Sequence, residues 1–278
     1  MKIAVVGGDL RQCYLAKTLL EAGCFVKVYG LECKETGRLL KEYEYAISDN
    51  LNEAIEKCDA IVLPTPVSEK WFYVSELLWH NTLVFGWNIP KEFEAYKRYD
   101  FGKMEEVALR NAVATAEGTL AEIITNGVIN LTGSKCIVTG YGRCGKEIAA
   151  RLRQIGVNVT VMARNAAERE DAAFHGMDIS DIFDRASYRE YDFVVNTIPA
   201  RVIGKPQIDK LSEDVVIIDI ATMPGGTDFT YCKNKGIKAL HSLGLPGKYS
   251  PKTSGWILGN AVLNIIYNGR KGDISEIQ

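Results

Sequence analysis

Between residues 135 and 164 the chain carries a glycine fingerprint in the one context that gives it meaning. Gly140-Tyr141-Gly142-Arg143-Cys144-Gly145 fits G-x-G-x-x-G and follows the apolar strand pattern 135–139. It opens a helical pattern over 144–155, and alternating Val157, Val159 and Val161 come next. Alone the hexapeptide is weak evidence; between a strand and a helix it is the phosphate turn of a βαβ unit. Gly140 permits the tight turn, Gly142 lets backbone N–H groups approach a pyrophosphate, and Gly145 lets helix and strand pack closely. The helix N-terminus, worth about half a positive charge, faces the phosphates. Arg143 and Cys144 complete the loop, and the same helix end lowers the pKa of a thiol such as Cys144.

The end of the second strand selects the dinucleotide. An NAD site usually places Asp or Glu there for the ribose 2′-OH. Here the strand ends Met162-Ala163-Arg164-Asn165, with no carboxylate until Glu168. Arg164 offers a fixed fork of donors suited to a 2′-phosphate, which points to NADP. Thr197 and Pro199 close the next strand and Asp219 the one after it, and open sheets hold ligands outside such carboxyl ends. Leu243 and Pro246, around Gly244-Leu245-Pro246-Gly247, are expected to reach toward the nicotinamide.

Strand and helix patterns alternate throughout, which is the signature of parallel α/β sheets. In the first half strands are expected at 3–6, 25–29, 60–63 and 83–85, with a helix over 10–21. The rhythm restarts at 136–139 and continues at 157–162, 193–196, 215–218 and 238–240. The fold class is therefore α/β, with two Rossmann-like, doubly wound parallel-sheet domains joined by two long helices. One joint is expected over 115–129, with Thr115 as N-cap and Leu120, Ile123, Ile124 and Val128 on one stripe. The other starts at Ser250-Pro251 and is apolar nearly all round, which predicts burial on every side. These joints give residues 1–114 plus 251–278 as a substrate domain and 115–250 as the NADP domain. The opening Gly7-Gly8-Asp9-Leu10-Arg11-Gln12 is a degraded fingerprint, and a carboxylate at Asp9 would repel a pyrophosphate.

Composition narrows the function. Of 278 residues 47% are hydrophobic, enough for a core in each half. With 33 Lys+Arg against 35 Asp+Glu there is no basic excess to follow a phosphate backbone, so nucleic-acid binding is disfavoured. No apolar run approaches the roughly 20 residues of a membrane span. The N-terminus lacks a signal-peptide core. Seven cysteines without a Cys-x-x-Cys pair indicate neither a disulfide framework nor a zinc site. A reduced, cytoplasmic protein with no metal is expected.

Five strings run in order along essentially the whole chain. They are Val5-Val6-Gly7-Gly8-Asp9-x-Arg11-Gln12, Thr115-x-Glu117-Gly118-Thr119, Pro224-Gly225-Gly226-Thr227-Asp228-Phe229, Gly244-Leu245-Pro246-Gly247 and Pro251-Lys252-Thr253-x-Gly255-x-Ile257-Leu258-x-Asn260. Together they resemble the dipicolinate synthase A-subunit family of spore-forming bacteria. The loop Leu63-Pro64-Thr65-Pro66-Val67-Ser68 departs from that family, which carries a longer insert. The resemblance implies an oxidoreductase that makes dipicolinate (pyridine-2,6-dicarboxylate) from dihydrodipicolinate or its hydrated precursor, with NADP as acceptor. It further implies a partner, the flavoprotein-like B-subunit, and the mother-cell cytoplasm during sporulation as location. The implied shape is similar to 2-hydroxyacid and alanine dehydrogenases, with the active site between the domains. Self-association of the chain is also expected.

Oxidising a dihydropyridine dicarboxylate removes one hydride and one proton, so two carboxylates must be held and a proton accepted. Arg11, just past the first strand, and Lys252, in the first turn of the last helix, are the candidate anchors. A cation at a helix start opposes the dipole, which marks Lys252 for a ligand. Glu117, expected near the start of a joint helix, is the candidate proton acceptor, although a first-turn carboxylate also stabilises a helix without catalysis. Asp228 is expected to cap a helix. Two other readings stay open. A D-2-hydroxyacid dehydrogenase-like NADP oxidoreductase would use a histidine with an arginine, for which His241 and Arg201 are a partial match. A non-catalytic NADP-binding scaffold protein would bind the dinucleotide and transfer no hydride.

Overall fold

A computed structural model of the chain describes residues 1–31, 33–182 and 188–275. It divides into two units, Met1–Asn111 with Ser250–Gln278, and Ala112–Tyr249. Among the described residues no helix is long and apolar enough to cross a membrane.

The first unit is built from β1 Lys2–Val6, α1 Leu10–Glu21, β2 Phe25–Tyr29, α2 Thr36–Leu39, α3 Leu51–Ile55, β3 Ala60–Val62, β4 Leu83–Gly86 and β5 Lys97–Asp100. Its sheet is parallel in the order β2-β1-β3-β4-β5, so the winding reverses between β1 and β3. Ile3, Ala4, Val5 and Val6 are all wholly buried, as a strand covered on both faces requires. Asp9 caps α1 by accepting from Arg11 N at 2.9 Å, and Leu15 and Leu19 turn its apolar face to the core.

The chain crosses between the units within α4, Glu105–Asn126. Val107 belongs to the first core, and Ala116 and Ile123 to the second. This corrects the expected joint: the helix begins at Glu105, with Glu105 and Glu106 in its first turn, and Thr115 lies in its interior. It ends at Asn126, so the expected stripe stops there too. Ile124 is 64% exposed and Val128, past the helix, 82%.

The second unit continues with β6 Lys135–Thr139, α5 Arg143–Gln154, β7 Asn158–Ala163, α6 Ala166–Phe174, β8 Asp178–Asp181, β9 Phe193–Asn196 and α7 Lys205–Ile208. β10 Val216–Asp219, α8 Phe229–Asn234, β11 Lys238–His241 and α9 Leu245–Tyr249 complete it. The six strands are parallel in the order β11-β10-β9-β6-β7-β8. Renumbered within the sheet, this is 6-5-4-1-2-3, the dinucleotide-binding order with its switch point between β6 and β9.

The last helix, α10 Pro251–Ser275, returns to the first unit and packs along α1. A Cβ at Gly255 would overlap Arg11 O, and one at Gly259 would lie 2.9 Å from Thr18 Cβ. Side-chain-free turns thus let the two backbones approach closely. The register runs the same way along both helices, so their N-termini share one end of the unit. Ile257, Leu258, Val262 and Ile266 fill the core beneath. Burial is not all-round as expected, because Trp256 is 50% exposed.

Candidate functional site

The carboxyl ends of β6, β7 and β9 frame a cleft of about 590 Å³. Gly140, with φ +87°, makes the turn out of β6. A Cβ there would meet Thr197 Oγ1 at 2.5 Å, so only glycine admits the β9 loop this close. A Cβ on Gly145 would overlap the Gly140 carbonyl, which is the close helix–strand contact the fingerprint requires. Gly142 differs: nothing lies within 4 Å of its Cβ position, and it lines the cleft. Bare backbone there, at the head of α5, fits a pyrophosphate.

The strand ends around the cleft are tied together by buried polar side chains. Thr139 Oγ1 donates to Asn196 Oδ1 at 2.6 Å, and Asn196 Nδ2 donates to Asp219 Oδ1 at 2.8 Å. Thr197 Oγ1 donates to Thr139 O at 2.8 Å. Asp219, wholly buried, also accepts from Ala221 N and Gly226 N, at 3.0 and 2.8 Å. Asp219, one of the expected cofactor residues, therefore holds its own loop and is not among the residues that line the cleft. A charged acceptor with this many donors is worth more than a neutral one, because each bond forms where water cannot compete.

Of the other expected cofactor residues, Gly140, Gly142, Ala163, Arg164, Asn165, Thr197 and Pro199 line the cleft together. Arg164 is exposed, and Glu168 lines the same cleft beside it. Arg143 and Cys144 begin α5 outside this lining. Burial pushes the Cys144 thiol up from its ordinary value despite a hydrogen bond with Thr115 and the nearby Arg143 charge. The direction is opposite to the expected lowering, because desolvation outweighs that hydrogen bond and that charge. Leu243 is half exposed after β11, and Pro246 sits in α9. α9 packs on α4, where a Cβ at Gly118 would lie 2.8 Å from Leu245 Cβ. Lys248 Nζ and Tyr249 Oη donate to Glu122 at 2.6 and 3.0 Å.

In the first unit Gly7 and Gly8 turn the chain from β1 into α1 with φ of +61° and +90°. Arg11, 7% exposed, donates from Nε and Nη2 to the Asp9 carboxylate and from Nη2 to Thr65 O at 2.6 Å. Gln12 Nε2 reaches Leu63 O and Thr65 Oγ1, both at 3.2 Å. Two side chains from α1 thus bridge the switch point between β1 and β3. The Asp9 carboxylate occupies the helix end where a phosphate would otherwise sit, so this loop does not repeat the second unit's site. Lys252 is exposed in the first turn of α10. Because α1 and α10 share an N-terminal end, Arg11 and Lys252 lie at the same end of the unit. Glu117 belongs to the second unit, exposed in the interior of α4 and not in a first turn as expected.

Both units have counterparts among known proteins. Residues 2–124 match the N-terminal domain of the dipicolinate synthase A-subunit. Residues 110–222 match the NAD-binding domain of D-isomer-specific 2-hydroxyacid dehydrogenases. The dipicolinate synthase A-subunit of Bacillus subtilis (strain 168) is 28% identical, with 96% of each chain covered. Over nearly its whole length the chain is thus similar to dipicolinate synthase A-subunits. The crystal structure of the dipicolinate synthase A-subunit from Bacillus halodurans superposes with a TM-score of 0.82 at 25% identity, covering 95% of this chain and 97% of that one. L-alanine dehydrogenase shares the fold alone, with a TM-score of 0.63 at 14% identity over 96% of this chain and 89% of its own. The dehydrogenase-like second unit makes the chain an oxidoreductase of the nicotinamide dinucleotide type.

Several strings that carry the likeness to dipicolinate synthase are packing devices. Gly225, with φ +81°, and Gly226 bring the β10 loop against Asp219, His241 and the Ile198 carbonyl. Asp228 caps α8 by accepting from Tyr231 N at 3.0 Å, as expected, and pairs with Arg201 at 2.8 Å. Phe229 stacks on His241, whose Nε2 lies 2.8 Å from Ala221 O.

Proposed function

We propose that the chain oxidises dihydrodipicolinate, or its hydrated precursor, to dipicolinate with NADP as acceptor, together with a flavoprotein-like B-subunit. The observation that carries the cofactor choice is Arg164, exposed at the end of β7 and lining the cleft where an NAD site would carry a carboxylate. When bound, the dinucleotide supplies the hydride acceptor. The chain supplies the rest. Backbone at Gly142 and the head of α5 receive the pyrophosphate, and Arg164 receives the 2′-phosphate.

In this reading residues 115–250 form the NADP domain, and residues 1–114 with 251–278 form the substrate domain. Lys252, at a helix start where a cation has no structural benefit, holds one carboxylate. Arg11, anchored by Asp9 and Thr65, supports the second from the same end of the unit. Glu117 takes the proton released as the ring aromatises. The chain then works in the mother-cell cytoplasm of a sporulating bacterium, as a self-associating member of a hetero-oligomer.

The hydroxyacid dehydrogenase reading has less support. His241 is bonded to Ala221 O and stacked on Phe229, while Arg201 is paired with Asp228. Each member of that pair is engaged with the segment that runs from β10 into α8. The test is an NADP-dependent dipicolinate assay, fed with enzymatically generated dihydrodipicolinate, with and without the flavoprotein-like partner. Product with this chain alone, or only with the partner, supports the proposal and assigns the site. Bound NADP with no product in either arm overturns it in favour of the scaffold reading.

A further inference from the structure

The turn that presents Arg164 is held from behind by a second arginine. Asp181 is the last residue of β8 and pairs with Ala163, so among the described residues the ladder stops one residue short of Arg164. Arg169, one turn into α6, folds back over this gap. Its Nη1 lies 2.6 Å from Ala163 O, 2.8 Å from Arg164 O and 3.0 Å from Asp181 Oδ2. The side chain is only 21% exposed, although arginine heads usually reach water. On the other side of the turn Asn165 Oδ1 accepts from Ala167 N at 2.9 Å and fixes the start of α6. The two peptide groups that root the Arg164 side chain are therefore clamped, and Arg164 itself stays exposed toward the cleft.

We propose that Arg169 is a positioning residue for cofactor selection: by fixing the Ala163 and Arg164 carbonyls it aims the Arg164 guanidinium at the 2′-phosphate of NADP. This rests on the NADP reading above. The physical basis is preorganisation. A long, flexible side chain binds an anion more tightly when its root is already oriented, because less freedom is lost on binding. Dinucleotide sites of this type receive the 2′ position of the ribose at this strand end, where NADP and NAD differ, so the effect falls more heavily on NADP.

The experiment measures Kd for NADP and for NAD by calorimetric titration of the full chain, with no turnover required. In Arg169→Met the Kd for NADP is expected to rise about tenfold more than the Kd for NAD, the scale of one charge-assisted hydrogen bond. Arg169→Lys, which keeps a cation but on a shorter stem, is expected to fall between. In a double-mutant cycle with Arg164→Ala, the Arg169 effect on the NADP to NAD ratio should vanish. An equal rise in both Kd values, or full additivity in the cycle, assigns Arg169 to structure alone and overturns the proposal. A wild-type chain that binds NAD as tightly as NADP fails the NADP reading instead, and that result appears before any Arg169 variant is made.

Discussion

Asn196 and Asp219, on adjacent strands and both wholly buried, share a hydrogen bond of 2.8 Å that locks two loop roots of the second unit together. Removing the carboxylate leaves three donors in a dry site: Asn196 Nδ2, Ala221 N and Gly226 N. Asp219→Ala is expected to cost about 3 kcal/mol, the scale for losing a charged, buried acceptor. Urea unfolding followed by circular dichroism reads this directly, and a loss under about 1 kcal/mol would contradict the network.

The fingerprint glycines make separable predictions. Gly142 has open space at its Cβ position and ordinary backbone angles. Gly142→Ala should keep the melting temperature within about 2 °C of wild type, because nothing in the protein is displaced. Its dinucleotide Kd should rise at least about tenfold, because the methyl meets the pyrophosphate. Gly145→Ala meets the Gly140 carbonyl and should lose both stability and binding. If Gly142→Ala melts like Gly145→Ala, the open position is misassigned.

Arg164 and Glu168 face the same cleft with opposite charge. Arg164→Asp is expected to weaken NADP by about 10- to 100-fold and to leave NAD equal or improved, given about 1.5–3 kcal/mol for hydrogen bonds to charged groups. Glu168→Gln removes a repulsion and should tighten NADP binding relative to NAD. Unchanged NADP affinity in Arg164→Asp would remove Arg164 from the site.

Glu122 links acidity to the stability of α9. Burial alone would raise its pKa, but hydrogen bonds from Lys248 and Tyr249 outweigh burial and hold the carboxyl below its ordinary value. A lowered carboxylate contributes stability above the unfolded pKa, about 4.3, and loses it as pH falls through the folded value. Glu122→Gln should therefore destabilise by about 1 kcal/mol at pH 7 and converge with wild type in strongly acidic buffer. A difference that stays constant down to pH 3 would show that the charge is not involved.

Gly255 sits against the backbone of α1, where a methyl would overlap Arg11 O. Gly255→Ala should force α1 and α10 apart at a cost of about 1–3 kcal/mol, as overpacking does. Thermal melting of the variant checks this, and an unchanged midpoint would mean that the helices separate freely.

The sequence displays those parts of the fold whose physics is local. α1 spans the expected 10–21 because Asp9 supplies the cap and the apolar spacing supplies the face. The phosphate turn is legible because glycine is the residue type that fits there. β5, Lys-Arg-Tyr-Asp, and β8, Asp-Ile-Ser-Asp, escape notice because edge strands carry the polar residues that mark loops. The true start of α4 is hidden because Thr115 imitates a cap, whereas in the helix its carbonyl accepts from Thr119 Oγ1 at 2.8 Å. Arg169 and the Thr139–Asn196–Asp219 network escape for another reason. Their partners lie in other elements, and nothing in their spacing announces the contact.

The return of α10 to the first unit fixes an order of manufacture. Leu15 and Leu19 share a core with Ile257, Leu258, Val262 and Ile266, residues synthesised some 240 positions later. During translation the second unit holds all its own strands once β11 has emerged, while the first still lacks its covering helix. The half made first is therefore finished last. Until then the core that Ile257, Leu258, Val262 and Ile266 complete lies open on one side, the kind of transient apolar exposure that invites aggregation.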